Sequence, residues 1–258
     1  SFFLIPIYLT VCMRGVYMVK PWYEESVFYH IYPLGMCGCP ERNSYNEEPV
    51  ERLNKIYEFI PHLKELGIKA LYIGPLFESE SHGYDTVDYN LIDRRLGDNR
   101  TFKNLVTELH NNQIKVVVDG VFNHVSRDFF AFKDIQKNRE SSRYRDWIKD
   151  VDFSRNSPLN DGFDYGTWEG HYGLPGLNLK NSEVKEFIFK AIKFWVEDFN
   201  IDGIRLDVAS ELDMDFMGEL STLSKDIKED FWLMGEVIHG DYRTWANEST
   251  IHSVTNYE

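Results

Sequence analysis

A chain of 258 residues is long enough for one large domain or two small ones, and 43% hydrophobic with 15% aromatic content suits a packed globular core. The formal net charge of −14 argues against a nucleic-acid or anionic-membrane surface, both of which need clustered Lys and Arg, but leaves a neutral ligand such as a sugar open. Three cysteines, Cys12, Cys37 and Cys39, are too few and odd in number for a disulfide framework. With no second pair to complete a zinc site, they read as free thiols.

Residues 1–13 are almost wholly apolar, yet too short for a bilayer span of about 20 residues. They also lack a basic n-region and a clear cleavage site. Residues 1–20 are therefore set apart, as the remnant of a signal peptide or as upstream translation ahead of a start at Met18. Residues 26–32 (SVFYHIY) read as a strand, and residues 49–66 carry Leu53, Ile56, Ile60, Leu63 and Leu66 at helical spacing, with Gly67 as a stop. Then follow a strand at 69–74 (KALYIG), a helix at 102–111 and a strand at 115–121 (KVVVDGV). A helix at 182–199 that Ser182 can cap comes next, then a strand at 201–208 and a helix at 213–228. A strand at 231–237 and the start of one more at 253–258 complete the series.

Alternating helices and apolar strands imply a parallel sheet covered on both faces. No G-x-G-x-x-G follows any strand, so a dinucleotide fold has no support. Polar residues gather at the carboxyl ends of successive strands: Asp119, Asn123 and His124, then Arg205 and Asp207, then Glu236. That is where a TIM (β/α)8 barrel assembles its site. The expected fold is an α/β barrel, incomplete at about six strands. Residues 21–121 and 181–258 form the barrel, and 122–180, where the alternation stops, form an inserted small domain after the third strand. Trp168 and Tyr172 in that insertion are placed to touch a sugar or simply to pack.

Arg205 and Asp207 are two apart on a strand and share a face. Two charges in a barrel interior are costly unless paired, so a purely structural ion pair competes with a catalytic role. Glu236 tips the balance, because it ends an apolar strand where a structural account prefers an aliphatic residue. Adjacent strands lie about 4.8 Å apart, which suits the roughly 5–5.5 Å between the nucleophile and the acid of a retaining glycosidase. Arg205 would keep Asp207 ionised, and a drier surrounding would keep Glu236 protonated.

The stretches 119–124 (DGVFNH), 203–209 (GIRLDVA) and 235–237 (GEV) resemble three of the four signature regions of the alpha-amylase superfamily, in order and at suitable spacing. Residues 82–89 (HGYDTVDY) and 174–178 (LPGLN) resemble two further segments, so the likeness runs from about Trp22 to Glu258. The continuation 208–211 (VASE) is most similar to the neopullulanase, cyclomaltodextrinase and maltogenic-amylase branch.

The resemblance implies hydrolysis of α-glucosidic, mainly α-1,4, bonds in maltodextrins, cyclodextrins or pullulan. Asp207 would be the nucleophile, Glu236 the acid and then the base, and Arg205 the residue that orients and ionises Asp207. His124 and Tyr84 would bind the sugar, and Asp119, Asn123 and Asp85 would support the site. The implied partner is an α-glucan oligosaccharide, with no nucleic acid, no membrane span and a homodimer left open. The expected compartment is the cytoplasm, with secretion as the alternative.

No cofactor is expected. Gly176 stands where many family members carry a calcium-binding Asp, which puts calcium in doubt although Asn123 survives. Ile238 stands where the branch usually has Trp, and no His-Asp dipeptide of the fourth signature region occurs. The third catalytic Asp is therefore expected beyond residue 258, with the chain a truncated catalytic domain. A transglycosylase or isomerase shares the same intermediate. A non-catalytic glucan-binding or transporter-subunit relative would lose catalytic carboxylates that this chain keeps.

Overall fold

The computed structural model describes residues 20–257, so all but the last residue of the expected apolar segment 1–20, with Cys12 and Met18, lies outside the described residues. Among the described residues no helix is long and apolar enough to cross a membrane. Six strands form one parallel sheet: β1 (Phe28–Ile31), β2 (Ala70–Ile73), β3 (Lys115–Gly120), β4 (Gly203–Leu206), β5 (Trp232–Gly235) and β6 (Ser253–Val254). Their order in space is their order in the chain, as in an incomplete TIM barrel. The sheet is curled. Phe28 of β1 and Trp232 of β5 are four strands apart, yet their ring centroids are 4.5 Å apart.

The strands are shorter than the apolar runs that encode them. The helices outside the sheet follow from local chemistry. Asn99–Asn111 begins three residues earlier than its apolar period, because the Asp98 carboxylate caps the Thr101 N–H and Thr101 returns the bond. The cap of Ser182–Phe194 is Asn181, not the expected Ser182: its side-chain oxygen accepts from the N–H groups of Glu183 and Val184. The helix expected at 49–66 is a 3-10 stretch, Arg52–Phe59, running into the α-helix Ile60–Glu65. It ends at Gly67, whose φ of 72° is the left-handed conformation a helix stop needs.

Two hairpins went unread in the sequence. Phe77–Ser79 pairs antiparallel with Thr86–Ile92 after β2, and Thr167–Trp168 pairs with His171–Pro175 within residues 122–180. Those residues leave the barrel after β3 and rejoin it at the helix Ser182–Phe194. Their buried side chains join the same hydrophobic core as those of the sheet and helices. Phe132 packs on Phe163 and Tyr165, and the buried Asp161 carboxylate accepts bonds from Arg127, Gln136, Ser157 and Tyr165.

Candidate active site

The parallel register sets the site. Asp119 of β3 lies directly opposite Arg205 of β4, and Leu206 lies opposite Gly235, so Asp207 and Glu236 each follow the last residue of adjacent strands at the same level. Arg205 Nη1 donates to Asp119 Oδ1 and to Asp207 Oδ1, both at 2.8 Å, and Arg205 Nη2 reaches Glu236 Oε1 at 2.7 Å. One guanidinium thus holds three carboxylates from three strands. All three charges on Asp119, Arg205 and Asp207 are buried, a costly arrangement that pairing makes tolerable.

Burial pushes the Asp207 carboxyl up to about 7; Arg205 pulls against the rise, and the charges of Asp119 and Glu236 add to it. Burial raises Asp119 too, against the pull of Arg205 and the Tyr72 hydrogen bond. Although burial works against its charge, Arg205 is held protonated by the surrounding anions. Against the expectation that Arg205 would keep Asp207 ionised, burial outweighs the pull of the guanidinium, and Asp207 holds its proton to higher pH than an ordinary carboxyl. The expectation that Glu236 occupies the drier position is reversed: its side chain is 22% exposed and that of Asp207 7%. Asp207 ends a strand in the floor of the cleft, whereas Glu236 faces the mouth.

The residue after Asp207 is under strain. Val208 is β-branched yet left-handed, with φ 46° and ψ 47°, a conformation that costs on the order of 1–3 kcal/mol. The Val208 N–H donates to Glu236 Oε2 at 3.1 Å, and the left-handed turn sends the next N–H, of Ala209, onto the Glu236 carbonyl at 2.9 Å. The backbone behind Asp207 thus holds Glu236.

A cavity of about 1020 Å³ opens over these groups. Tyr84, Asp85, His124, Arg205, Asp207 and Glu236 line it. Tyr84 comes from the loop between the first hairpin's strands. Asp85 Oδ1 accepts from the Gly83 N–H at 3.1 Å and Oδ2 from the Ser81 hydroxyl at 2.6 Å, which fixes that loop. Burial holds His124 neutral down to about 4, and its Nε2 is buried without a hydrogen-bond partner. Trp168 and Tyr172 also line the cavity, with the Trp168 ring 5.6 Å from that of His124. Reading the sequence missed Glu80, Glu169, His171, Glu211 and His239 on the same walls. Glu80, Glu169 and His239 lie in loops, His171 opens a five-residue strand and Glu211 ends a three-residue 3-10 turn, all too short for periodicity to mark them.

Asp119 and Asn123 stand behind the cavity wall. Asp119 Oδ2 accepts from the Tyr72 hydroxyl at 2.7 Å. Asn123 Oδ1 accepts from Lys149 Nζ at 3.1 Å. That contact decides the fit of calcium. The Lys149 ammonium sits on the very amide oxygen a cation would use, and Gly176 offers no carboxylate; a Cβ there would lie 3.0 Å from Lys149 Cδ. Among the described residues no group of three or more His, Cys, Asp or Glu could hold a metal. The donor set does not fit calcium.

A curled parallel sheet thus carries an Arg-bridged pair of carboxylates beneath a sugar-sized cavity, the arrangement of an incomplete TIM barrel with a site at the carboxyl ends of its strands. The alpha-amylase catalytic-domain family matches residues 43–258, and the chain belongs to that family. It is 38% identical to neopullulanase 2 of Thermoactinomyces vulgaris, over 97% of this chain and 45% of the relative. With a cyclomaltodextrinase of Thermoanaerobacter pseudethanolicus it shares 34% identity, over 95% of this chain and 44% of that one. The structure of a cyclic alpha-maltosyl-(1→6)-maltose hydrolase from Arthrobacter globiformis superposes with a TM-score of 0.81 at 30% identity, covering 92% of this chain and 56% of that one. The chain thus spans less than half the length of these curated relatives.

Proposed function

We propose that the protein is a retaining glycoside hydrolase that cleaves α-glucosidic, mainly α-1,4, bonds in maltodextrins, cyclodextrins or pullulan. The observation that carries this reading is the grip of Arg205 on both Asp207 and Glu236 in one cleft. An Asp207 oxygen attacks the anomeric carbon and forms a glucosyl ester as the bond to the leaving sugar breaks. Glu236, on the wetter side, gives its proton to the leaving oxygen. As a carboxylate it then takes a proton from the water that attacks the ester and frees Asp207. Tyr84 and His124 hold the reacting sugar, and Asp119 steadies Arg205. Asn123 and Asp85 support the walls.

The substrate class is supported by relatives named for pullulan and for cyclomaltodextrins. The free thiols of Cys37 and Cys39 support a cytoplasmic setting. Asp207→Asn and Glu236→Gln should each lower reducing-sugar release from maltoheptaose by on the order of 10⁴-fold or more. Proton NMR of the first-formed product should show the α-anomer. A first product in the β configuration would sink the covalent route. Parallel digests of β-cyclodextrin and pullulan separate the substrates, and longer products separate sugar acceptors from water.

A further inference from the structure

We infer that Tyr72 is a positioning residue of this cleft, holding Asp119 in the orientation from which Asp119 fixes Arg205. The inference rests on the hydrolase reading above. Tyr72 sits in the apolar run of β2, where it reads as core. Its hydroxyl instead donates to Asp119 Oδ2 at 2.7 Å, and the other oxygen of that carboxylate accepts from Arg205 at 2.8 Å. The chain continues from Arg205 to Asp207 and Glu236. Four strands are thereby linked through side chains, with Tyr72 at the far end from substrate.

The phenol is itself fixed. His30 of β1 stacks on its ring at 4.0 Å with planes 11° apart, and the His30 Nε2 lies 3.4 Å from the Gly74 carbonyl. Gly74 brings the β2 backbone close to Asp119, since a Cβ there would lie 2.5 Å from Oδ2. One phenol therefore ties β2 to the carboxylate behind the site. Burial keeps Tyr72 protonated, so it acts as a donor.

Groups facing Asp119 come from every neighbouring element: His30 from β1, Tyr72 from β2, Tyr84 from the following loop, and Arg205, which carries Asp207 and Glu236 with it. Of these, the Tyr72 hydroxyl and Arg205 hydrogen-bond the carboxylate itself. Removing the phenol's donor destabilises the anion, so Asp119 takes up a proton at higher pH. Protonated, it no longer anchors Arg205 as an ion.

The test is Tyr72→Phe, which keeps the ring and its stacking. We expect kcat on maltoheptaose to fall roughly 10- to 100-fold, the cost of one hydrogen bond to a charged group, with KM little changed. The acid limb of kcat/KM should move to higher pH. In an Asp119→Asn background the same substitution should cost far less, because the two act as a unit. Replacing Tyr72 by 3-fluorotyrosine, a stronger donor of the same shape, should keep activity and move the acid limb to lower pH.

Two readouts separate this inference from the reading it rests on. Labelling of Asp207 by 5-fluoro-α-D-glucosyl fluoride, located by mass spectrometry, tests the covalent route in the unsubstituted protein. Carbon-13 titration of the Asp119 carboxyl needs no turnover and should move to higher pH in Tyr72→Phe. A Tyr72→Phe protein with unchanged kcat and an unchanged Asp119 titration would overturn the positioning role, even if its melting temperature fell.

Discussion

Burial holds His124 neutral to about 4, well below the ordinary imidazole value near 6.5, and this makes the site a liability in acid. The unfolded chain takes up the proton first as pH falls through 6.5, while the folded chain refuses it until about 4. Stability from this residue is therefore full above 6.5 and lost as pH falls towards 4, by about 3 kcal/mol. Asp207 works the other way in the same window, because its raised pKa lets the folded state keep a proton that the unfolded state gives up. Comparison with His124→Gln isolates the first effect. The variant should lose less stability than the parent between pH 7 and 4.5 in urea melts; parallel curves would refute the assignment. At this scale the sequence was legible where a residue broke its element's rule. Glu236 ending an apolar strand and Arg205 with Asp207 on one strand face were such breaks. Tyr72 broke none, since a tyrosine suits a strand, and its contact with Asp119 depends on register that no single strand reveals.

Among the elements, residues 122–180 were marked by lost alternation, but their attachment was not readable. Lys149 makes it. Its N–H donates to the Gly176 carbonyl at 2.8 Å, its carbonyl accepts from Gly166 at 2.7 Å, and its ammonium meets Asn123 behind β3. Burial lowers the Lys149 pKa, and the charges of Glu211, Asp150 and Asp213 oppose that fall. An internal ammonium thus does the tethering that a bound cation would do. Chelation with EDTA should leave the melting temperature unchanged, whereas Lys149→Met should cost about 1–3 kcal/mol by leaving the buried Asn123 oxygen unpaired. It should also open residues 122–180 to limited trypsin cleavage. A melting temperature that falls with EDTA and recovers with calcium would contradict the tether. The hairpin Phe77–Ser79 with Thr86–Ile92 escaped the sequence for a different reason: its register shifts at two places, which breaks the period-two pattern.

Across the whole molecule the two ends of the strands carry different work. The carboxyl ends hold charge, strain and an open cavity. The amino ends are closed by aromatic packing: Trp22 and Tyr23 of the short helix Trp22–Glu25 lie against Trp232, Tyr23 also meets His252, and Phe28 meets Trp232. Trp22 Nε1 adds a bond to the Asp230 carbonyl at 2.8 Å. These contacts join the start of β1 to β5 and to the approach of β6, and so they hold the curl of the sheet. The curl could not be read from any one segment, because its partners are about 200 residues apart. Trp232→Ala removes the ring on which the cluster converges. It should cost about 3–5 kcal/mol in stability, as expected for a buried Trp truncated to Ala. The site lies at the opposite end of the strands, so kcat/KM per folded molecule, measured well below the melting temperature, should stay unchanged. The check is to pair urea melts with active-site-titrated kinetics. Lost turnover in a protein whose melt is unaltered would show that the aromatic end reaches the chemistry by some route other than holding the sheet.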